Sequence, residues 1–456
     1  MTTPVASEAI AQPKQETTPT DSYLMGLLQQ SQQQSVVKGE IATLLENLRQ
    51  QGADIVEKSS IPTKNDEDWR FSDLSELLKL DFNLAGKEKV SSHILEEFLL
   101  PEAAQTRLVF VNGIYSPELS DLSALTLGVY AGNLAALDKL QKDKILKYLG
   151  QQQGANEVFT ALNTSGLADG AVIWVNPNVV VEQPIHLLFL TATCDTPTFS
   201  QPRTIIVAER DSSLQVIENY GVIGDENSDR PYFTNAVTEI WLEENARLNH
   251  NRIQRKSGYG FHIGKSAISQ ERYSHYTCNE INFGGQFYRH NLEVSQTGEE
   301  TETNLNGLIT IGNQQLADTH SLVSLTKPYG RVEQLHKCIV DDRARAVFNG
   351  KIIVPQKAQL TNASQLNRNL LLSPKARVNT KPELQITADN VKCAHGATVS
   401  QLEADELFYL RSRGLSESDA RYLLIDAFAA EILQRIPIKS LRHRLTQCVA
   451  CQTTIN

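Results

Sequence analysis

From about Ala171 to Ile386 the chain shows no helical periodicity. It is a series of short β-rich runs, among them AVIWV (171–175), IHLLFL (185–190), RTIIVA (203–208), LQVIENY (214–220), AVTEIWL (236–242), GLITI (307–311), VFNGKIIV (347–354) and LLL (370–372). Clusters of Asn, Asp, Gly and Pro separate them. A stretch of this kind folds either as a large antiparallel sandwich or as a stacked parallel β-solenoid. Strand groups begin near 172, 204, 236, 262, 290 and 318, a spacing of roughly 25 to 32 residues that falls within the span of solenoid repeats. The solenoid is therefore the favoured reading. Val, Ile and Leu are expected inside the coils, and Asn304, Asn306, Asn349, Asn362 and Asn367 in the turns. A solenoid also needs its ends covered, because a terminal coil exposes an unpaired edge and an apolar face.

The flanking sequence has a different texture, which divides the chain into four parts: a disordered tail (1–20), a mainly helical domain (21–165), the β-solenoid (166–390) and a C-terminal helical domain (391–456). The tail is rich in Pro, Thr and Gln. Tyr23 to about Lys58 carries leucines at helical spacing, as do 133–149 and 154–163, whereas RLVFV (107–111) reads as a strand. In 61–80, Asp66, Glu67 and Asp68 suit the first turn of a helix anchored by Trp69 and Phe71. Near the C-terminus, 401–414 reads as a helix ended by Gly414. Ser416 caps the next, with Asp419 three residues on and an expected core face of Ala420, Leu423, Leu424, Ala427, Phe428 and Ile432. The helical domains are expected to cap the solenoid's two ends.

At 456 residues the chain exceeds what one hydrophobic core organises. A formal net charge of -10 argues against binding a phosphate backbone. No apolar run is long enough for a membrane-spanning helix. The N-terminus lacks the apolar core and basic start of a secretory signal, and Glu8 and Glu16 with no arginine do not suit a transit peptide. Six cysteines without such a signal imply a reducing compartment, so the expectation is a cytoplasmic protein with free thiols.

Few motifs carry chemistry. GYGFHIGKS (258–266) imitates a phosphate-binding loop, but Tyr259 occupies the position that requires glycine, and the sequence from Ala267 reads as strand. Ser, His and Asp are plentiful without spacing that points to a catalytic triad. Cys448 and Cys451 form a C-x-x-C pair, a metal or redox motif when a second pair of ligands accompanies it; only His443 lies nearby, so incidental thiols are the favoured reading. Cys194, Cys278 and Cys338 lie in β-runs and read as core thiols. His290, His320 and His336 fall among β-runs, where stacked coils could align some of them, although a turn-stabilising role is the plainer reading for each. Cys393 and His395, in VKCAHGAT, are two residues apart on an extended segment and project to one side. Thiolate and imidazole both bind iron or zinc, but two ligands do not complete a tetrahedral site. The alternative is a buried thiol beside a hydrogen-bonded histidine.

Three stretches together resemble the SufD family of iron–sulfur assembly proteins: PTKNDEDWRFSDLSEL (62–77), AVFNGKIIVPQKAQLTNASQLNRNLLLSPKA (346–376) and ADNVKCAHGATVSQLEADELFYLRSRGLSESDARYLLIDAFAAEIL (388–433). The resemblance implies a mainly β fold, a right-handed parallel β-helix between helical domains, and a non-catalytic scaffold working with the paralogue SufB and the ABC-type ATPase SufC. It implies ATPase docking on the C-terminal helices, here the segment holding Leu407, Phe408, Arg411, Arg413, Leu424 and Phe428. The end of the β-helix would pair with SufB, with His395 and Cys393 as metal ligands shared across that contact. No cofactor would be bound permanently by this chain alone; iron or a nascent cluster would be held transiently. A homodimer through the solenoid end is expected where the partner is missing. The competing function is a β-helix carbohydrate-active enzyme, which needs grouped carboxylates along one solenoid face.

Overall fold

The computed structural model describes residues 19–33, 40–224, 230–255 and 258–454. The tail expected over 1–20 therefore lies almost wholly outside the described residues. The core is a parallel β-solenoid made of two sheets, with consecutive strands alternating between them. The first sheet includes strands Ala171–Val175, Arg203–Ala208, Tyr232–Leu242, Gly260–Gln270, Phe287–Gln296, Leu316–Leu325, Arg345–Val354 and Arg377–Ile386. The second includes Ile185–Ala192, Ser213–Ile223, Arg247–Gln254, His275–Asn282, Glu302–Ile311, Arg331–Val340, Asn362–Leu371 and Lys392–Gln401. Among the described residues, seven helices flank them: α1 (Pro19–Gln33), α2 (Glu40–Glu57), α3 (Lys139–Ile145), α4 (Val158–Ser165), α5 (Ala404–Ser412), α6 (Glu417–Leu433) and α7 (Lys439–Thr454). The sequence boundary at 390/391 falls just before the last strand, which pairs in parallel with Asn362–Leu371, so helix resumes only at Ala404.

One corner of every coil is built alike. Asn178, Asp211, Asn245, Tyr273, Glu300, Tyr329 and Leu360 all have positive φ, between 56° and 63°. Each donates its N–H to a carbonyl of the following coil, from Asn178 to Arg210 through to Leu360 to Asn390. The left-handed residue turns the chain sharply while parallel pairing continues through the bend. The asparagines expected in turns lie in strands instead. Asn279 donates to Asn251 Oδ1 and Asn306 to Asn279 Oδ1, each at 2.9 Å, forming an outward amide ladder capped by Arg435 at 2.7 Å from Asn306. Stacked identical amides satisfy one another between coils, which a turn would not require.

The helices lie along the sheets rather than over both ends. Leu24, Leu27 and Leu28 of α1, Val56 of α2 and Phe159 of α4 pack with Phe199, Phe233, Phe261 and Phe287 on the outer face of the first sheet. Ile425, Ala429, Ile432 and Leu433 of α6, with Leu441 and Leu445 of α7, cover Ile217, Ile253, Ile281, Leu308, Leu335 and Leu370 on the second. Ala420 and Ile432 are buried as expected, but Leu423 and Ala427 are exposed, so the packing face of α6 is rotated from the predicted one. The coil's outer groove, not the neighbouring helix alone, selects it. Residues 67–69 form only a 3-10 turn: the Asp66 carboxylate accepts from Thr63 N–H at 2.7 Å and holds a turn where a helix was expected. Trp69 is buried there, with the Arg289 guanidinium 3.9 Å from its ring centroid.

The early end of the solenoid is closed by antiparallel pairings, Val129–Asn133 on Ala171–Val175 and Ile114–Tyr115 on Arg107–Val111. Among the described residues, strands Arg377–Ile386 and Lys392–Gln401 each pair on one side only. The C-terminal end of the solenoid is thus an open cross-section with two free strand edges.

Candidate functional site

The residues singled out from the sequence gather at two places. Cys393 and His395 lie on the last strand, in register with Ala363 and Gln365. Ala363 and Cys393 belong to the hydrophobic cluster that fills the lumen, so both candidate ligands face inward at the rim of the open end. Cys393 is half-buried and its thiol is pushed up by burial; His395 is exposed. The two side chains stand on one strand two residues apart, about 6.6 Å along it. Among the described residues, no group of three or more His, Cys, Asp or Glu is placed to hold a metal.

The second place is the exposed surface of α5 and α6. Helix α5 buries none of its residues. Phe408 is 72% exposed, Tyr409 57% and Leu423 45%, and Arg411 and Arg413 are exposed beside them. Arg413 lies 5.3 Å from the Tyr409 ring and Arg411 pairs with Glu417 at 3.5 Å. Leu407 and Leu424 are half-buried. Phe428 points the other way: it packs on the second sheet, where Lys337 donates to its carbonyl at 2.8 Å and lies over its ring. Tyr409 and Leu423, absent from the sequence-based set, complete the surface; only the packing of α6 on the coil reveals them.

The remaining candidates resolve into structural roles. Lys265, of the loop-like GYGFHIGKS, sits in the strand Gly260–Gln270, bridging Glu157 at 2.9 Å and Glu293 at 2.5 Å. Burial raises the Glu293 carboxyl; burial works the same way on Glu157, but the Lys265 charge outweighs it and holds that carboxyl low. A cleft of about 610 Å³, lined by Lys58, Trp69, Glu157, Lys265, Arg289 and Asn291, lies here. The two carboxyl groups clamp one lysine, which leaves no room between them for a glycosidic bond. Cys278 and Cys338 are buried, with thiols pushed up to about 12 by burial, whereas Cys194 lies half-buried beyond its strand. Cys448 is half-buried on α7 against the helical cluster; the Cys451 side chain lies outside the described residues. His290 and His336 face the lumen from opposite sheets and His320 faces outward, so they form no column.

The lumen itself holds a polar network that the sequence did not announce. Glu218 accepts from Thr238 and Tyr220 and lies 2.9 Å from His250 Nε2. Arg252 reaches Tyr288 at 2.6 Å and His262 at 2.7 Å. Tyr288 donates to Glu280 at 2.6 Å, Glu280 lies 2.9 Å from His290 Nδ1, and His290 Nε2 lies 2.9 Å from Ser266 Oγ. Burial alone would raise Glu218 and Glu280, yet His250 beside the first, His290 beside the second, and Arg252 beside both hold each carboxyl down to about 2. Ser266, His290 and Glu280 thus follow one another as serine, imidazole and carboxylate, although His290 Nδ1 lacks the hydrogen bond to the carboxylate that a hydrolytic triad uses. All three are buried in the lumen, where no substrate reaches the serine.

The fold defines the class: a parallel β-solenoid protein with helical layers on both outer faces and one open end, with Cys393 and His395 on its rim. A family model described as "SUF system FeS cluster assembly, SufBD core domain" matches residues 189–428, and one described as "SufBD protein N-terminal region" matches 20–187. The chain belongs to the SufBD family, as a SufD-like member. An iron–sulfur cluster assembly SufBD family protein of Synechocystis sp. is 50% identical over 99% of this chain and 100% of its own length. The chloroplastic protein ABCI7 of Arabidopsis thaliana is 35% identical over 88% of this chain and 84% of its own. The iron–sulfur cluster assembly protein SufD of Escherichia coli is 30% identical over 85% and 88%.

Proposed function

We propose that this chain is a non-catalytic scaffold in cytoplasmic iron–sulfur cluster assembly, pairing end-on with a SufB-like paralogue and docking a SufC-like ABC ATPase. The observation that carries the reading is the open end of the solenoid, where two free strand edges frame Cys393 and His395. A second β-solenoid end abutting this one would extend both sheets and bury the exposed Val399 and Ile386. Iron or a nascent cluster, as cargo, would then be bound by the thiolate of Cys393 and an imidazole nitrogen of His395, with further ligands from the paralogue. The exposed α5–α6 surface, with Phe408, Tyr409 and Leu423 among arginines, suits an ATPase partner. Because α6 is packed on the second sheet over several coils, movement of a docked ATPase would reach that sheet as far as Leu370, one rung short of the rim.

Purification of the tagged chain from its host tests the reading. Stoichiometric recovery of an ABC-type ATPase and a larger paralogue is expected, whereas recovery of the chain alone or as a homodimer would refute the complex. His395→Ala is expected to leave that complex intact and impair cluster assembly; normal assembly would remove His395 from the ligand set.

A further inference from the structure

A cavity lies inside the lumen, next to the buried ionic network and away from the rim. It is lined by Cys278, Glu280, Gly307, Thr319, Gln334 and His336, among others, and measures about 10 Å³ as room for the centre of a water molecule. Gly307 creates it. In register, Gly307 stands between Glu280 on one coil and His336 on the next, and a Cβ there would lie 2.1 Å from His336 Cδ2. The missing side chain lets the imidazole lie against the backbone and leaves space toward Glu280.

Two fully buried polar atoms of the lining residues, His336 Nε2 and Thr319 Oγ1, have no protein partner among the described residues. The other ring nitrogen of His336 faces the Cys338 thiol at 3.7 Å. Leaving a buried donor or acceptor unsatisfied costs about 1–3 kcal/mol each. A buried water typically makes about three hydrogen bonds, and a space of this size admits one. His336 Nε2, Thr319 Oγ1 and the Glu280 carboxylate offer that number.

We propose that one water molecule occupies this cavity, held by His336, Thr319 and Glu280, and that it links the buried ionic network to the polar column above it. Below, the water meets Glu280, which already accepts from Tyr288 and pairs with His290. Above, Gln334 also lines the cavity; it donates to Ser321 Oγ at 2.8 Å and accepts from Gln365 Nε2 at 2.8 Å. Gln365 is the strand neighbour of His395. With the water in place, polar contacts continue from Arg252 and Glu280 to the coil beneath the rim. The inference rests on the lumen geometry alone and stands whether or not the chain assembles clusters.

Thr319→Val tests it, because the two side chains have the same shape and differ by one hydroxyl. The full-length protein and the variant are each crystallised to about 1.5 Å or better, and their melting temperatures compared. The expected result is a density peak within hydrogen-bond distance of His336 Nε2 and Thr319 Oγ1, its loss or displacement in the variant, and a lowered melting temperature. A cavity without density, together with a Thr319→Val protein that melts higher because an unsatisfied hydroxyl is gone, would overturn the proposal.

Discussion

Lowering the pH from 7 to 5 is expected to destabilise this protein through two buried histidines. His186 is fully buried, with neither ring nitrogen hydrogen-bonded among the described residues, and burial, helped by Arg107, Arg255 and Arg444, pushes it down to about 3. His336 is pushed down to about 4 by burial, which the nearby Glu280 only partly offsets. Unfolding returns each ring to water, where its pKa is about 6.5. Both folded values lie below the unfolded one, so the unfolded state takes up protons first and stability falls as pH drops through 6.5 toward 4. From pH 7 to 5 each histidine contributes a loss of about 2 kcal/mol, or about 4 kcal/mol together, from the linkage relation. The lowered His290 adds to this in the same direction. Glu218 and Glu280, with folded values of about 2, add their loss only below about pH 4.5, where unfolded carboxylates begin to protonate. Urea unfolding at constant ionic strength, followed by tryptophan fluorescence and circular dichroism at pH 7, 6 and 5, measures the slope. His336→Gln, compared with itself across the same range, should lose about half of the two-histidine effect. A flat stability between pH 7 and 5, or an unchanged slope in His336→Gln, would refute the reasoning.

Three further outcomes follow from the packing. Arg203→Ala strands the buried Glu239 carboxylate, which keeps only the Gly150 N–H at 2.8 Å; the expected loss is about 3–5 kcal/mol by urea unfolding, and the paired Arg203→Met/Glu239→Gln protein should recover much of it. Leu360→Asn relieves a left-handed conformation at φ 60° on an exposed corner, and should stabilise the fold by about 1 kcal/mol, read as a raised urea midpoint. Phe408→Asp should leave stability within about 0.5 kcal/mol while removing the ATPase from the co-purified complex; retention of the ATPase would exclude α5 as its dock.

The strands were the most legible part of this molecule, and for a definite reason. Runs such as AVIWV and RTIIVA are covered on both faces, by the lumen inside and helices outside, so they read as unbroken apolar stretches. The rim was legible through the spacing of Cys393 and His395 and the family resemblance. Their inward direction was not, because it depends on register with Ala363 and Gln365. The lumen network stayed hidden for the same reason: Glu218, Arg252 and Glu280 each stand between an isoleucine and an asparagine, and His250 between two asparagines, as solvent-facing residues would. Position in the stack decides that these charges face one another. The packing face of α6 was misjudged because Leu423 and Ile425 are equally apolar, and only the groove of the coil beneath chooses between them.

The helical layers also change how the stack behaves as a physical system. In a bare solenoid each coil feels only its neighbours, so opening spreads like a zipper from whichever rung is weakest. Here α6 and α7 span rungs from Ile217 to Leu370, coupling those rungs so that they open together. The last rung lies beyond that span. Strand Arg377–Ile386 is tied back by two ion pairs, Lys381 to Glu67 at 2.7 Å and Glu383 to Lys351 of the preceding coil at 3.3 Å, among the described residues. A cooperative body therefore ends in one loosely coupled rung, and amide exchange should be fastest there until a second solenoid end stacks on it.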